Sequence, residues 1–265
     1  MFVENMTAEE IIKEARRDLA VLENYKEKIY QIHRREFLFA KKYPVTFQHT
    51  WKSPATKNKW CVTMTCNSKQ ARETPETYFY SPYATSRGTG IIFPFYDLDT
   101  EEWAFSRFTG HFFSRYRNRY LIPNNLCTPG MDVIDYFIKD NISFSLSEKK
   151  KEDNSFTCCL KDGIALGIFD KTLTVFRTFV SHDMLFRIQK RSLQSSIETQ
   201  KTLDDFLTNK LPNSYKQYCL QGRIGRVAGP EPVPKLSLDD VKDLLKDKPK
   251  IPLFSPLTGK IEFEE

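Results

Sequence analysis

The sequence predicts an α+β protein: a mostly antiparallel sheet flanked by helices, with a long helix at the N-terminus. Three observations predict it. Apolar residues recur at helical spacing over 7–43. The pattern switches to alternation over 45–109 and again over 156–180, with turn residues between the alternating runs. Strands and helices come in blocks, without the sustained βαβ alternation of a parallel sheet.

The N-terminal helix starts at Thr7, with Glu10 three residues on, the spacing at which each side chain satisfies the other's backbone amide. Ile11, Ile12, Ala15, Leu19 and Leu22 give it one apolar face, and Tyr43-Pro44 closes the segment, since proline disfavours helix in the residue before it. Strands follow over 45–51, 60–66, 90–96 and 103–108; Pro94 lies inside the third and asks for an edge position or a bulge there. Helices are expected over 111–121 and 131–140, separated by Pro123 and Pro129-Gly130. Three strands over 156–160, 164–169 and 173–180 are joined at Asp162-Gly163 and Asp170-Lys171, which fits consecutive hairpins. Helix returns over 182–210; a Gly/Pro-rich linker (222–234), a short helix (238–246) and a tail complete the chain. The implied organisation is a helical segment at 1–43, an α+β core at 44–221, and a linker, short helix and tail at 222–265.

Composition narrows the function classes. With 40% hydrophobic residues in 265, the chain can bury a core. Only 10 glycines argue against repeated glycine loops that cradle nucleotides. A net charge of +6 permits an anionic partner without demanding one. Residues 1–5 lack the basic and apolar regions of a secretory signal, and no apolar run approaches the ~20 residues that span a bilayer, so no membrane association is expected. The six cysteines include the adjacent pair Cys158-Cys159, an awkward disulfide framework, so reduced thiols in a cytoplasmic protein are expected. No Cys-x-x-Cys is present, and Cys61 and Cys66 would face opposite sides of a strand, so neither a metal nor a cofactor is expected.

The chemistry concentrates in one stretch. Between Trp103 and Met131 there is no acidic residue, but there are Arg107, Arg115, Arg117, Arg119 and His111. On a helix, His111, Arg115 and Arg119 fall at about 0°, 40° and 80°, with Phe112, Phe113, Tyr116 and Tyr120 at about 100–200°. The rings would seat the helix on a sheet and leave the His-Arg-Arg stripe facing outward or along the sheet rim. Guanidinium groups bind phosphate oxygens in pairs and stabilise added negative charge, while an imidazole near neutrality moves protons. A solvated basic face that only seats a helix would give the same pattern. Residues 184–236 add nine Lys/Arg against four Asp/Glu, and Arg223 and Arg226 there could follow a phosphate backbone or merely keep a linker in solution.

The run Gly110-His111-Phe112-Phe113-Ser114-Arg115-Tyr116-Arg117-Asn118-Arg119-Tyr120 resembles the His–Arg–Arg helix of the barnase/EndoU/colicin/RelE-like ribonuclease superfamily, small metal-independent ribonucleases of bacterial toxins and phage-borne effectors. The likeness covers about residues 105–182, including a second helix and antiparallel strands, the last of which carries Thr178. It implies an endoribonuclease in which His111 transfers a proton, Arg115 and Arg119 hold the phosphate and Thr178 hydrogen-bonds it. It also implies RNA as substrate and an inhibitor or antitoxin protein as a second partner. Arg107, Arg117, Arg223 and Arg226 are further candidates for nucleic-acid contacts. Two other readings stand beside it: a nucleic-acid-binding protein without turnover, and a protein-interaction component of a bacterial mobile element. A titrating group separates cleavage from binding, and salt dependence separates nucleic-acid binding from a protein-interaction role.

Overall fold

The computed structural model describes residues 1–97, 102–141, 145–148, 154–191, 193–194, 197, 253–254 and 261–262. The fold is α+β. Helix α1 (Ala8–Phe39) begins with the Thr7/Glu10 capping box and buries Ile11, Ala15, Leu19, Leu22, Ile29 and Phe37. It ends at Phe39, four residues ahead of Tyr43, and the first extended residue, Ala40, gives its carbonyl to Arg72 and to the Tyr43 hydroxyl.

The strands in chain order are β1 (Val45–Lys52), β2 (Lys59–Cys66), β3 (Glu76–Thr85), β4 (Gly88–Asp97), β5 (Glu102–Phe108), β6 (Ser145–Glu148), β7 (Ser155–Cys159), β8 (Gly163–Asp170) and β9 (Leu173–Ser181). They form one nine-stranded sheet in the order β1-β2-β3-β4-β5-β9-β8-β7-β6. Every pairing is antiparallel except β5 with β9, which is parallel. A short ribbon pairs β10 (Leu253–Phe254) with β11 (Ile261–Glu262).

Strand β3 is absent from the sequence expectation. Tyr78–Ser81 are buried in succession, so both faces are covered and no polar alternation marks the strand. It pairs with β2 through Glu76–Tyr80 and with β4 through Ser81–Thr85. Pro94 therefore lies beyond Ile92, the last β4 residue paired to β3, and its missing N–H costs no ladder bond there.

The two sheet faces carry two cores. On one, α1 packs on Trp60, Val62, Met64, Cys66 and Phe79, so the N-terminal helix shares its core with the sheet instead of standing apart. Cys66 lies in this core and Cys61 packs against the other, as their spacing predicts. On the second face, α2 (Gly110–Tyr116) and α3 (Val133–Asp140) cover Phe156, Ala165, Phe176 and Phe179. The expectation that Phe112 and Tyr116 seat α2 on the sheet holds: both are fully buried, and Tyr116 and Tyr120 pack on Phe179.

Two buried carboxylates fix this arrangement. Asp18 of α1 accepts from Thr56, Asn58 and Trp60. Asp162, in the β7–β8 turn, accepts from the hydroxyl of Tyr116 at 2.6 Å and from Asn141 at 2.9 Å, joining α2 and the end of α3 to the sheet. After Ser181 the chain makes a 3-10 turn (His182–Met184) and is helical over 187–191. The linker, the 238–246 helix, Arg223 and Arg226 lie outside the described residues. Among the described residues, no helix is long and apolar enough to cross a membrane.

Candidate functional site

The site is built where α2 begins. Thr109 caps the helix through Phe112 N, and its own amide and hydroxyl donate to the carbonyls of Phe176 and Arg177 in β9. The helix start is thereby bolted to the sheet. Gly110 lies against the β3–β4 hairpin so closely that a Cβ would collide with Thr85 Oγ1 and the Gly88 carbonyl. The hairpin is itself braced, with Thr85 Oγ1 donating to the Gly88 carbonyl at 2.6 Å and Gly88 at φ +109°, which glycine adopts without strain. This contact sets Arg87, at the hairpin tip, beside His111.

His111 is held between two guanidiniums. Arg115 Nε donates to His111 Nε2 at 3.2 Å, and Arg87 Nη1 lies 3.3 Å from His111 Nδ1. A neutral imidazole carries one N–H, so it can accept from only one of these donors at a time. Burial and then the charges of Arg115, Arg87 and Arg119 push the His111 pKa below its ordinary value. The imidazole is thus kept neutral at neutral pH.

The stripe expected from helical spacing is present in part. His111, Arg115 and Arg119 are all half-buried on one side of the helix. The helix widens after Tyr116 into a π turn (Arg117–Leu121), which shifts Arg119 from its ideal α-helical angle. Arg119 Nη1 donates to the Phe179 carbonyl at 2.7 Å, so it reaches the rim of β9. Burial and the neighbouring Arg115 lower its pKa, yet a guanidinium stays charged. Among the described residues, no ion pair involves Arg87, Arg115, Arg119 or Arg177.

An open cavity of about 400 Å³ lies beside His111. The N-terminal segment contributes Glu4 to its wall, the hairpin contributes Arg87, and β9 contributes Arg177. Glu4 is turned to Ser86, accepting from its amide at 2.8 Å and its hydroxyl at 3.1 Å.

Of the other sequence candidates, Thr178 is half-buried, pairs with Leu166, and is not among the cavity's lining residues. The ladder slips beside it: Leu166 pairs with Thr178 but Gly167 pairs with Phe176, so Arg177 is the extra residue of a bulge and is exposed. Arg117 is exposed on the π turn. Arg107 is different. Its guanidinium donates to the Tyr83 hydroxyl at 2.8 Å, to the Glu4 carbonyl and to the Met6 carbonyl, and it lies over the Tyr83 ring. It pins the N-terminal segment to the sheet and has little left to offer a phosphate. Arg107→Ala should lower stability by about 1–3 kcal/mol, the cost of stranded partners. The slope of log affinity for RNA against log salt should stay unchanged, and a flatter slope in that variant would return Arg107 to the binding surface.

Sequence reasoning missed Arg87 and Arg177. Nothing local marks Arg87, 24 residues before His111, and Arg177 was overshadowed by its neighbour Thr178. Comparison with known proteins found no family model, no curated protein and no solved structure that matches the chain.

Proposed function

We propose that the chain is an endoribonuclease that cleaves RNA without a metal ion, with His111 as the proton-transfer group. The observation that carries the proposal is the half-buried imidazole held between Arg87 and Arg115, with Arg119 near enough to help depress its pKa. A neutral imidazole among guanidiniums is an arrangement for a base that works beside a phosphate.

In this reading the RNA phosphate rests on Arg115 and Arg119. A ribose 2′-hydroxyl displaces a guanidinium N–H from the one lone pair of neutral His111 and gives it its proton as the 2′-oxygen attacks phosphorus. The guanidiniums balance the charge that gathers on the phosphoryl oxygens. The bond from phosphorus to the 5′-oxygen breaks, that oxygen takes a proton from water, and the imidazolium returns its own proton to the hydroxide left behind. The products are a 2′,3′-cyclic phosphate and a 5′-hydroxyl. Thr178 is assigned a hydrogen bond to the phosphate on the resemblance alone; its neighbour Phe179 is the residue whose carbonyl Arg119 reaches.

The pH profile tests the role of His111. A base must be unprotonated, so kcat/KM should rise with pH and level off once His111 has lost its proton. Because the His111 pKa is lowered, the midpoint should lie below the ~6.5 of an ordinary histidine. Arg87→Met removes one of the depressing charges and should move the midpoint upward. A rate that falls as pH rises through this range would assign His111 the acid's role and contradict the mechanism.

A further inference from the structure

We propose that Arg177 and Arg87 form a second phosphate subsite, so that the chain grips a flanking phosphate of the polynucleotide as well as the one on Arg115 and Arg119. The inference rests on the nucleic-acid reading above and names which part of the substrate the cavity takes.

The geometry of the imidazole separates the two subsites. Arg115 meets Nε2 and Arg87 meets Nδ1, on opposite edges of the ring. A single phosphate on Arg115 and Arg119 therefore leaves Arg87 on the far side of His111, facing the cavity. Arg177 joins it there from a different element. Both are fixed at the backbone: the β3–β4 hairpin is braced by Thr85, and the bulge that re-aims Arg177 is tied to Thr109 through the carbonyls of Phe176 and Arg177. Bulges are found next to active sites because they turn one side chain out of the strand pattern. Arg177 is exposed while Phe176 and Phe179 are buried beneath α2.

Two guanidiniums thus share the cavity with one carboxylate, Glu4. Its oxygens are engaged by the Ser86 amide and hydroxyl, yet its charge still opposes an anion. The cavity's ~400 Å³ falls within the range of small-molecule sites and has room for a phosphate with its sugar. The preferred substrate is accordingly a strand with at least two consecutive phosphates, held at both.

The test is equilibrium binding of the full chain at low salt to thymidine dinucleotides, which lack the 2′-hydroxyl and cannot be cleaved through it. Three probes are compared: one phosphodiester alone, the same with a 5′-phosphate, and the same with a 3′-phosphate. One of the two terminal phosphates should raise affinity about tenfold or more, as a paired guanidinium–phosphate contact does. Arg177→Ala should cancel that gain, Arg177→Lys should keep part of it, and Glu4→Gln should enlarge it. Arg87→Ala, on a separate element, should also cancel it, which guards against a folding defect in either variant. A gain that survives Arg177→Ala, or no gain from either terminal phosphate, would overturn the second subsite. If the gain is present but RNA is not cleaved, the subsite stands and the ribonuclease reading falls; if RNA is cleaved but no terminal phosphate adds affinity, the reverse holds.

Discussion

His111→Ala is expected to lose about 100- to 10,000-fold in RNA cleavage rate, the usual cost of removing a proton-transfer group. Folding should be little changed. His111 is half-buried at the edge of the cavity, and the aromatic core beneath it is made by Phe112, Phe113, Tyr116 and Phe179 without it. Removing the imidazole also frees Arg115 and Arg87 from a group that could satisfy only one of them. Affinity for uncleavable DNA analogues should therefore stay level or rise. The comparison is made by measuring the melting temperature, affinity and rate on the same preparation. A His111→Ala protein that melts many degrees lower and had no activity to lose would make the histidine a structural residue.

Asp162→Ala is expected to have the largest effect on stability among the residues that hold the site. Its carboxylate takes the hydroxyl of buried Tyr116 and the amide of Asn141. Burial, then that carboxylate, raises the Tyr116 pKa far above its ordinary value, so the phenol stays a donor at every working pH. Removing the acceptor strands these donors beneath α2. Hydrogen bonds to a charged group contribute about 1.5–3 kcal/mol each, so a loss of about 3 kcal/mol or more is expected. In a domain of this size that is on the order of 6–12 °C in melting temperature. Asp162→Asn keeps an acceptor and should lose less. Because Tyr116 lies in the helix that carries His111 and Arg115, Asp162→Ala should also reduce activity below the unfolding transition. An unchanged melting temperature would mean that the Tyr116–Asp162 contact does not tie the helix down.

What the sequence made legible follows from local chemistry. The capping box at Thr7, the apolar face of α1 and the hairpins around Asp162-Gly163 and Asp170-Lys171 are each written within a few residues. The aromatic side of α2 was legible for the same reason. Strand β3 was not, since a strand covered on both faces loses the alternation that identifies it. The parallel pairing of β5 with β9 joins segments that are far apart in the chain, and no local pattern announces it.

The site divides in the same way. The spacing of His111 and Arg115 is a property of one helical turn and could be read directly. Arg107 carries the same charge as its neighbours, but its tie to Tyr83 and two carbonyls of the N-terminal segment is a tertiary matter. Arg87 reaches His111, and Arg177 the cavity beside it, only because Gly110 lets the β3–β4 hairpin approach and a bulge turns β9. Charge was legible in the sequence; which charges converge was not.

The most direct measurement is to incubate the purified full chain with mixed RNA in excess EDTA and to analyse the ends of any fragments, with His111→Ala alongside. The account predicts cleavage that persists in EDTA, fragments ending in 2′,3′-cyclic phosphate and beginning with a 5′-hydroxyl, and no such fragments with His111→Ala. RNA that stays intact with the unsubstituted chain, or fragments that form equally fast with His111→Ala, would contradict it.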